Sequence, residues 1–235
     1  MIYYVGLLGL IFGSFFNVVG YRYLWDDFWR QSRSYCPFCH QTLSFIELIP
    51  IFSYLFQKGR CRTCHQLIHW SYPLIELMTA MSWMLCFKFS SSWAEFLLLT
   101  AFFSILIILT AIDCKHFLLP NEWLFILGFW LMFQQLFYQQ SLFLGVIRAS
   151  ILFLVAICVY RLMEHKIGAG DIKMLCVLAI GFTFQELIWI LFISSAVALI
   201  MIGGLLIRKK LEWKSQIPFG PFLAIGTMVV TLFMR

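Results

Sequence analysis

Two aspartates stand where apolar runs give way to short polar turns: Asp113 in Ala111-Ile112-Asp113-Cys114-Lys115-His116, and Asp171 in Gly168-Ala169-Gly170-Asp171-Ile172-Lys173. A carboxylate at the edge of a hydrocarbon layer is costly, so each needs a partner, and the obvious partner for each is the other. Two close carboxylates share a proton, leaving one base to draw a proton from water and one acid to donate to a carbonyl. A second constellation is a short internal repeat, Cys36-Pro37-Phe38-Cys39-His40-Gln41 and Cys61-Arg62-Thr63-Cys64-His65-Gln66. Two Cys-x-x-Cys hooks each present two thiolates to one side of a tetrahedron, the donor set of a structural zinc ion. A pair of disulfides is the competing reading, and a cytoplasmic location disfavours it. His40 and His65 are available as substitute ligands, although four thiolates already suffice.

The elements that must position these residues are apolar helices. The chain is 62% hydrophobic and 12% charged, with 26 phenylalanines and 9 tryptophans in 235 residues. So little polar surface cannot cover a soluble globule of this size, which predicts an integral membrane protein. Hydropathy predicts an all-α polytopic fold of about eight spans, near 2–21, 73–89, 95–112, 122–138, 142–160, 172–184, 186–207 and 217–234. The first run has no basic segment before it and no small-residue cleavage site after it, so it reads as a retained span. The sixth is short, and the count falls to seven if it does not cross.

Orientation follows from the basic residues. With eight spans, one set of loops holds Arg22, Arg30, Arg33, Lys58, Arg60, Arg62, Lys115, Arg161, Lys166, Lys173, Arg208, Lys209, Lys210 and Lys214, which is 14 of 17. Only Lys88, Arg148 and Arg235 fall elsewhere. That asymmetry places both aspartates and the hooks at the cytoplasmic face. The expected organisation is a first span (1–21), a small zinc-binding cytoplasmic loop domain (22–72) and a transmembrane domain (73–235). The loop is poor in core-forming residues, so a metal would supply much of its folding free energy. Cys86, Cys114, Cys158 and Cys176 are scattered singly and read as small packing residues.

Gly13-Ser14-Phe15-Phe16-Asn17-Val18-Val19 with Arg22, the paired hooks, Glu47-Leu48-Ile49-Pro50 with Ser53-Tyr54-Leu55, and Tyr72-Pro73 with Glu76 follow one another along the chain. Asp113 ahead of Leu119-Pro120-Asn121, the Gly168 to Lys173 segment, and Pro218-Phe219-Gly220-Pro221 complete the series. In order and spacing, over nearly the whole chain, these resemble the prepilin peptidases of the type IV leader peptidase family. The Gly-x-Gly-Asp segment is shared, by resemblance, with the wider intramembrane aspartyl proteases that include presenilin. Asn121 departs from the family, which often has an acidic residue after the proline.

The resemblance implies cleavage of a short basic leader from pilin-like precursors at the cytoplasmic face of a bacterial inner membrane, with Asp113 and Asp171 catalytic. It often implies methylation of the new amino terminus as well, an activity the family motif associates with Glu47. S-adenosylmethionine is the expected methyl donor, although no Gly-rich turn for a nucleotide-like cofactor is visible. A plain loop acceptor is an equally weighted reading of Glu47. Gly168 and Gly170 would let the backbone bend and approach an extended peptide, with Lys173 in support.

Helix ends carry partial charges, negative at the C-terminus and positive at the N-terminus. Asp113 after span three and Asp171 before span six are therefore expected to hold the shared proton on Asp113 and leave Asp171 as base. Ser14 and Asn17 read as interhelical hydrogen-bonding residues, with lining of a substrate groove as the alternative, and Glu76 as a residue that orients the loop or pairs with a basic residue. The Arg208-Lys209-Lys210 run reads as an anchor beside anionic headgroups rather than a nucleic-acid patch. The competing functions are a proton-coupled transporter with the aspartates as relay, for which no repeated halves are visible, and a zinc-loop assembly factor without catalysis.

Overall fold

The computed structural model describes residues 1–23, 33–162, 168–207 and 217–234. Arg30, Lys166, Arg208, Lys209, Lys210, Lys214 and Arg235, used above for orientation, lie outside the described residues. The fold is all-helical. In chain order come α1 (Ile2–Arg22), a 3-10 turn (Ile46–Leu48), α2 (Phe52–Phe56), α3 (Ser71–Phe89), α4 (Trp93–His116), α5 (Asn121–Phe137), α6 (Leu142–Leu162), α7 (Ala169–Gly181), α8 (Phe184–Ile207) and α9 (Gly220–Phe233). Each predicted span has its helix. Four of them, α1, α4, α6 and α8, are long and apolar enough to cross a membrane, and α9 is a shorter apolar helix. The protein is an integral membrane protein.

Helix boundaries differ from the hydropathy limits by a few residues at several places, and two of the changes fall at the aspartates. Helix α4 runs on to His116, so Asp113 lies within its last turn rather than beyond it. Helix α7 begins at Ala169, which puts Asp171 in its first turn. Polar residues end a hydropathy window without ending a helix, and here the backbone bonds continue past it.

The chain divides into two compact units, Met1–Thr100 and Ala101–Arg235, so the boundary falls inside α4 and α3 belongs with α1. In the first unit α1 packs on α3 through a row of small residues. A Cβ on Gly9 would come within 2.7 Å of the Ala80 backbone, and one on Gly13 within 2.7 Å of the Glu76 Cα. Such close approach suits helices in lipid, where small residues let backbones meet. Asn17 hydrogen-bonds the Tyr72 carbonyl across this interface at 3.0 Å and its own-turn Gly13 carbonyl at 3.2 Å.

In the second unit α7 packs on α5 and α6, and α8 packs on α9. Phe102, Leu106, Leu109 and Ile112 of α4 are fully buried. By contrast α6 exposes Phe143, Leu144, Ile151, Phe153, Leu154 and Val155, which is the surface a lipid-facing helix presents. The C-terminal end of α7 is held by its neighbours: the Ile180 carbonyl accepts from Gln135 Nε2 at 2.9 Å and Arg148 Nη2 at 3.4 Å. Gly145 makes room for it, since a Cβ there would lie 2.5 Å from that carbonyl oxygen. Of the single cysteines, Cys86 and Cys176 are buried as packing residues should be, whereas Cys114 and Cys158 are exposed on their helices and do not pack a core.

Candidate active site and metal centre

The second unit gathers three helix ends around the aspartates. Helix α4 stops at Phe117, which takes the left-handed conformation (φ 53°) and returns its N–H to the Asp113 carbonyl at 2.9 Å. The Asp113 side chain, 6% exposed, accepts the Gly220 N–H at 2.9 Å on Oδ2, at the first residue of α9. Asp171, half-buried in the first turn of α7, is close enough to Asp113 for the two carboxylates to interact electrostatically. Among the described residues no hydrogen bond reaches the Asp171 carboxylate, which leaves it free to engage water.

Glycine at this site supplies space. Gly168, at the N-cap of α7, has φ −60° and ψ 119°, a conformation open to any residue. A Cβ at Gly168 would meet Asp171 Oδ2 at 2.7 Å, one at Gly220 would meet Asp113 Oδ2 at 2.7 Å, and one at Gly170 would meet Leu119 Cβ at 3.2 Å. The expectation that Gly168 and Gly170 serve to bend the backbone is therefore corrected: they leave room for a carboxylate and for the loop that follows α4. Gly220→Ala keeps the N–H yet displaces the Asp113 carboxylate, and a displacement approaching 1 Å is expected to lower the rate about a hundredfold. Gly203→Ala on α8, where nothing lies within 4 Å of the added carbon, should leave the rate unchanged. Equal rates for both variants in a cleavage assay would show that the Gly220 cradle is immaterial.

Lys173 Nζ donates to Asn121 Oδ1 at 3.0 Å, joining the second turn of α7 to the start of α5. The residue that departs from the family pattern thus keeps an acceptor at the position. The contact between Gly220 and Asp113 also bears on the proton. A hydrogen bond to a charged acceptor, about 1.5–3 kcal/mol, exceeds a helix-end effect of about 0.3–1 kcal/mol. Helix ends alone therefore do not decide which of the two aspartates would be the acid.

In the first unit the cysteine repeat folds as two matching knuckles. Cys36 N–H bonds the Gln41 carbonyl and His40 N–H the Cys36 carbonyl; Cys61 N–H bonds Gln66 and His65 N–H bonds Cys61 in the same way. Each knuckle closes on a histidine at φ 57° and is flanked by one bridge, Tyr35 with Thr42 and Arg60 with Leu67. The two knuckles face each other, so the four Sγ atoms of Cys36, Cys39, Cys61 and Cys64 all lie within 4.8 Å of one another. Cys36 Sγ and Cys64 Sγ are 3.8 Å apart, close to the edge of about 3.8 Å for a tetrahedron with bonds of about 2.3 Å. These thiols can hold a metal ion. His40 and His65 serve as turn residues. The Cys64 backbone N–H, helped by that of Thr63 against the opposing effect of burial, lowers the Cys61 thiol from its ordinary value.

Glu47 lies in the 3-10 turn of the same unit. Its Oε2 accepts both the backbone N–H and the hydroxyl of Ser44 at 2.8 Å. Those bonds, with the Arg62 charge adding, hold its carboxyl below the usual carboxylate range. The Ser-x-x-Glu spacing is the sequence mark of this arrangement. Neither Ser44 nor the Gly220 N–H is among the contacts expected from the motifs alone.

The whole chain has counterparts among known proteins. Residues 7–89 match the bacterial peptidase A24 N-terminal domain, and residues 100–203 match the type IV leader peptidase family. Proteins named prepilin leader peptidase/N-methyltransferase are similar throughout. The one from Bacillus subtilis (strain 168) is 32% identical over 97% of this chain and 92% of its own length. The one from Aeromonas hydrophila is 34% identical over 97% and 89%, and that from Vibrio cholerae 31% identical over 97% and 95%. No solved structure matches. The aspartate-bearing unit and the cysteine-bearing unit are each matched in turn, and similarity runs nearly from end to end: the chain belongs to the type IV leader peptidase family.

Proposed function

We propose that this membrane protein removes the short basic leader from type IV prepilin-like precursors, with Asp113 and Asp171 as its catalytic pair. The observation that carries the assignment is that two carboxylates, from the ends of α4 and α7, lie close enough to interact electrostatically, one fixed by Gly220 and the other without a hydrogen bond among the described residues. One carboxylate takes a proton from water as its oxygen adds to the scissile carbonyl carbon, while the other donates to the carbonyl oxygen. Collapse breaks the carbon–nitrogen bond, and the leaving nitrogen takes the proton as the amine of the mature protein. Gly168 and Gly220 keep the carboxylates in place, and Lys173 ties α7 to α5. The family offers no support for the transporter alternative.

The same chain is proposed to methylate the amine that cleavage releases, with Glu47 as the carboxylate that acts there. Ser44 occupies Oε2 of Glu47 and leaves Oε1 to accept from an amine. S-adenosylmethionine would supply an electrophilic methyl group. The cysteine cluster is assigned to a structural zinc ion, since four thiols within 4.8 Å of one another suit that metal. Purified protein incubated with a precursor and the methyl donor is expected to yield the shortened chain and then its singly methylated form by mass spectrometry. An unshortened precursor would end the peptidase assignment.

The proposed setting is the bacterial cytoplasmic membrane, with eight crossings and the active site facing the cytoplasm. The support is the basic asymmetry of the loops. Cysteine labelling in intact cells should protect positions 45, 116 and 168 and modify positions 92 and 140. Labelling of position 45 from outside would invert the orientation and rule out cytoplasmic cleavage.

A further inference from the structure

Between the 3-10 turn that carries Glu47 and the start of α2 stands Ile51, with φ 60° and ψ −51°. It is the centre of a three-residue turn in which Phe52 N–H donates to the Pro50 carbonyl at 2.6 Å. Positive φ at a β-branched residue is a true outlier, and this kind of γ-turn is rare and strained. Strain of that sort persists only where the surroundings over-determine it.

What holds the turn is a buried acid. Ile51 N–H donates to Glu76 Oε2 at 2.7 Å. Glu76 is 8% exposed in the second turn of α3 and receives a second hydrogen bond from the Ser14 side chain of α1. The neighbouring Gly13 lets α1 lie directly against the Glu76 Cα. The helix pair thus presents one anchored carboxylate to one backbone amide, four residues after Glu47.

We propose that Glu76 is a positioning residue: by pinning Ile51 it fixes the 46–56 segment, and with it the direction in which Glu47 meets the amine of the cleaved precursor. The proposal rests on the reading of Glu47 as the methyl-transfer carboxylate. Glu76 does not touch the amine. Its part is to keep a strained turn closed.

The test compares Glu76→Leu, Glu76→Gln and Glu47→Gln in the full-length protein, each checked for metal content equal to that of the unaltered chain. Exchange of the Ile51 amide is followed by mass spectrometry of a peptide covering 46–56, and methyl transfer is scored apart from cleavage. Glu76→Leu is expected to lose amide protection and to lower methyl transfer about tenfold or more, the scale of a lost charge-assisted hydrogen bond, with cleavage unchanged. Glu76→Gln keeps an acceptor oxygen and should restore both protection and transfer. Adding Ile51→Gly to Glu76→Leu should recover part of the transfer, because glycine takes this φ without strain. Retained Ile51 protection in Glu76→Leu, or parallel loss of cleavage and methylation, overturns the positioning role. Full methylation by Glu47→Gln overturns the Glu47 reading and the methyl-transfer consequence with it, while the amide exchange reports separately on whether Glu76 holds the turn.

Discussion

Asp113→Asn and Asp171→Asn proteins are each expected to accumulate in the membrane like the unaltered chain while losing about a hundred- to ten-thousandfold in precursor cleavage, the contribution of a positioned acid or base. The structure explains why accumulation should survive. An asparagine at 113 keeps an oxygen for the Gly220 N–H, so the junction of α4 with α9 stays closed. At 171 there is no hydrogen bond among the described residues to lose. In a mechanism where two carboxylates share a proton, the pH profile of cleavage belongs to both together. Normal cleavage by either variant in a purified assay would defeat the paired mechanism, however well the rest of the site is formed.

The second large effect concerns the cysteine cluster. Protein purified without chelator should carry about one zinc per chain, and Cys36→Ser or Cys61→Ser should release it, because three thiolates lose both charge and closure. Structural zinc binds comparable small sites with about 10–16 kcal/mol of apparent free energy, and that free energy is folding free energy. Loss of metal should therefore open the segment between α1 and α3 to protease, with the knuckles at Cys36 and Cys61 cut first. Metal analysis that finds no zinc, or unchanged zinc in the double serine variant, would remove the metal from the description.

The helices were legible because long apolar runs have few other fates in a chain of this composition. Their ends at the site were less so. Asp113, Cys114, Lys115 and His116 read as a turn by hydropathy, yet the α4 backbone bonds carry through them. The knuckles were readable down to the repeated Cys-x-x-Cys-His-Gln, since a local hydrogen-bond pattern leaves a local signature. Ser44 with Glu47 left one too, in the Ser-x-x-Glu spacing. The Gly220 donor left none that could be tied to Asp113. It is a backbone N–H acting on a residue 107 positions away, and no side-chain pattern encodes such a pairing. The same holds for Ile51 and Glu76: the acid was visible, but the amide it would choose was not.

Helix α7 has 13 residues, about 20 Å of helix against a hydrocarbon layer of about 30 Å. The Gln135 amide and the Arg148 guanidinium at the Ile180 carbonyl therefore do more than cap a helix. They let the peptide backbone come to an end inside the protein, and a cation suits the negative end of the helix dipole there. Because α7 packs against α5 and α6, it is those neighbours, and not solvent, that close its short run of backbone bonds.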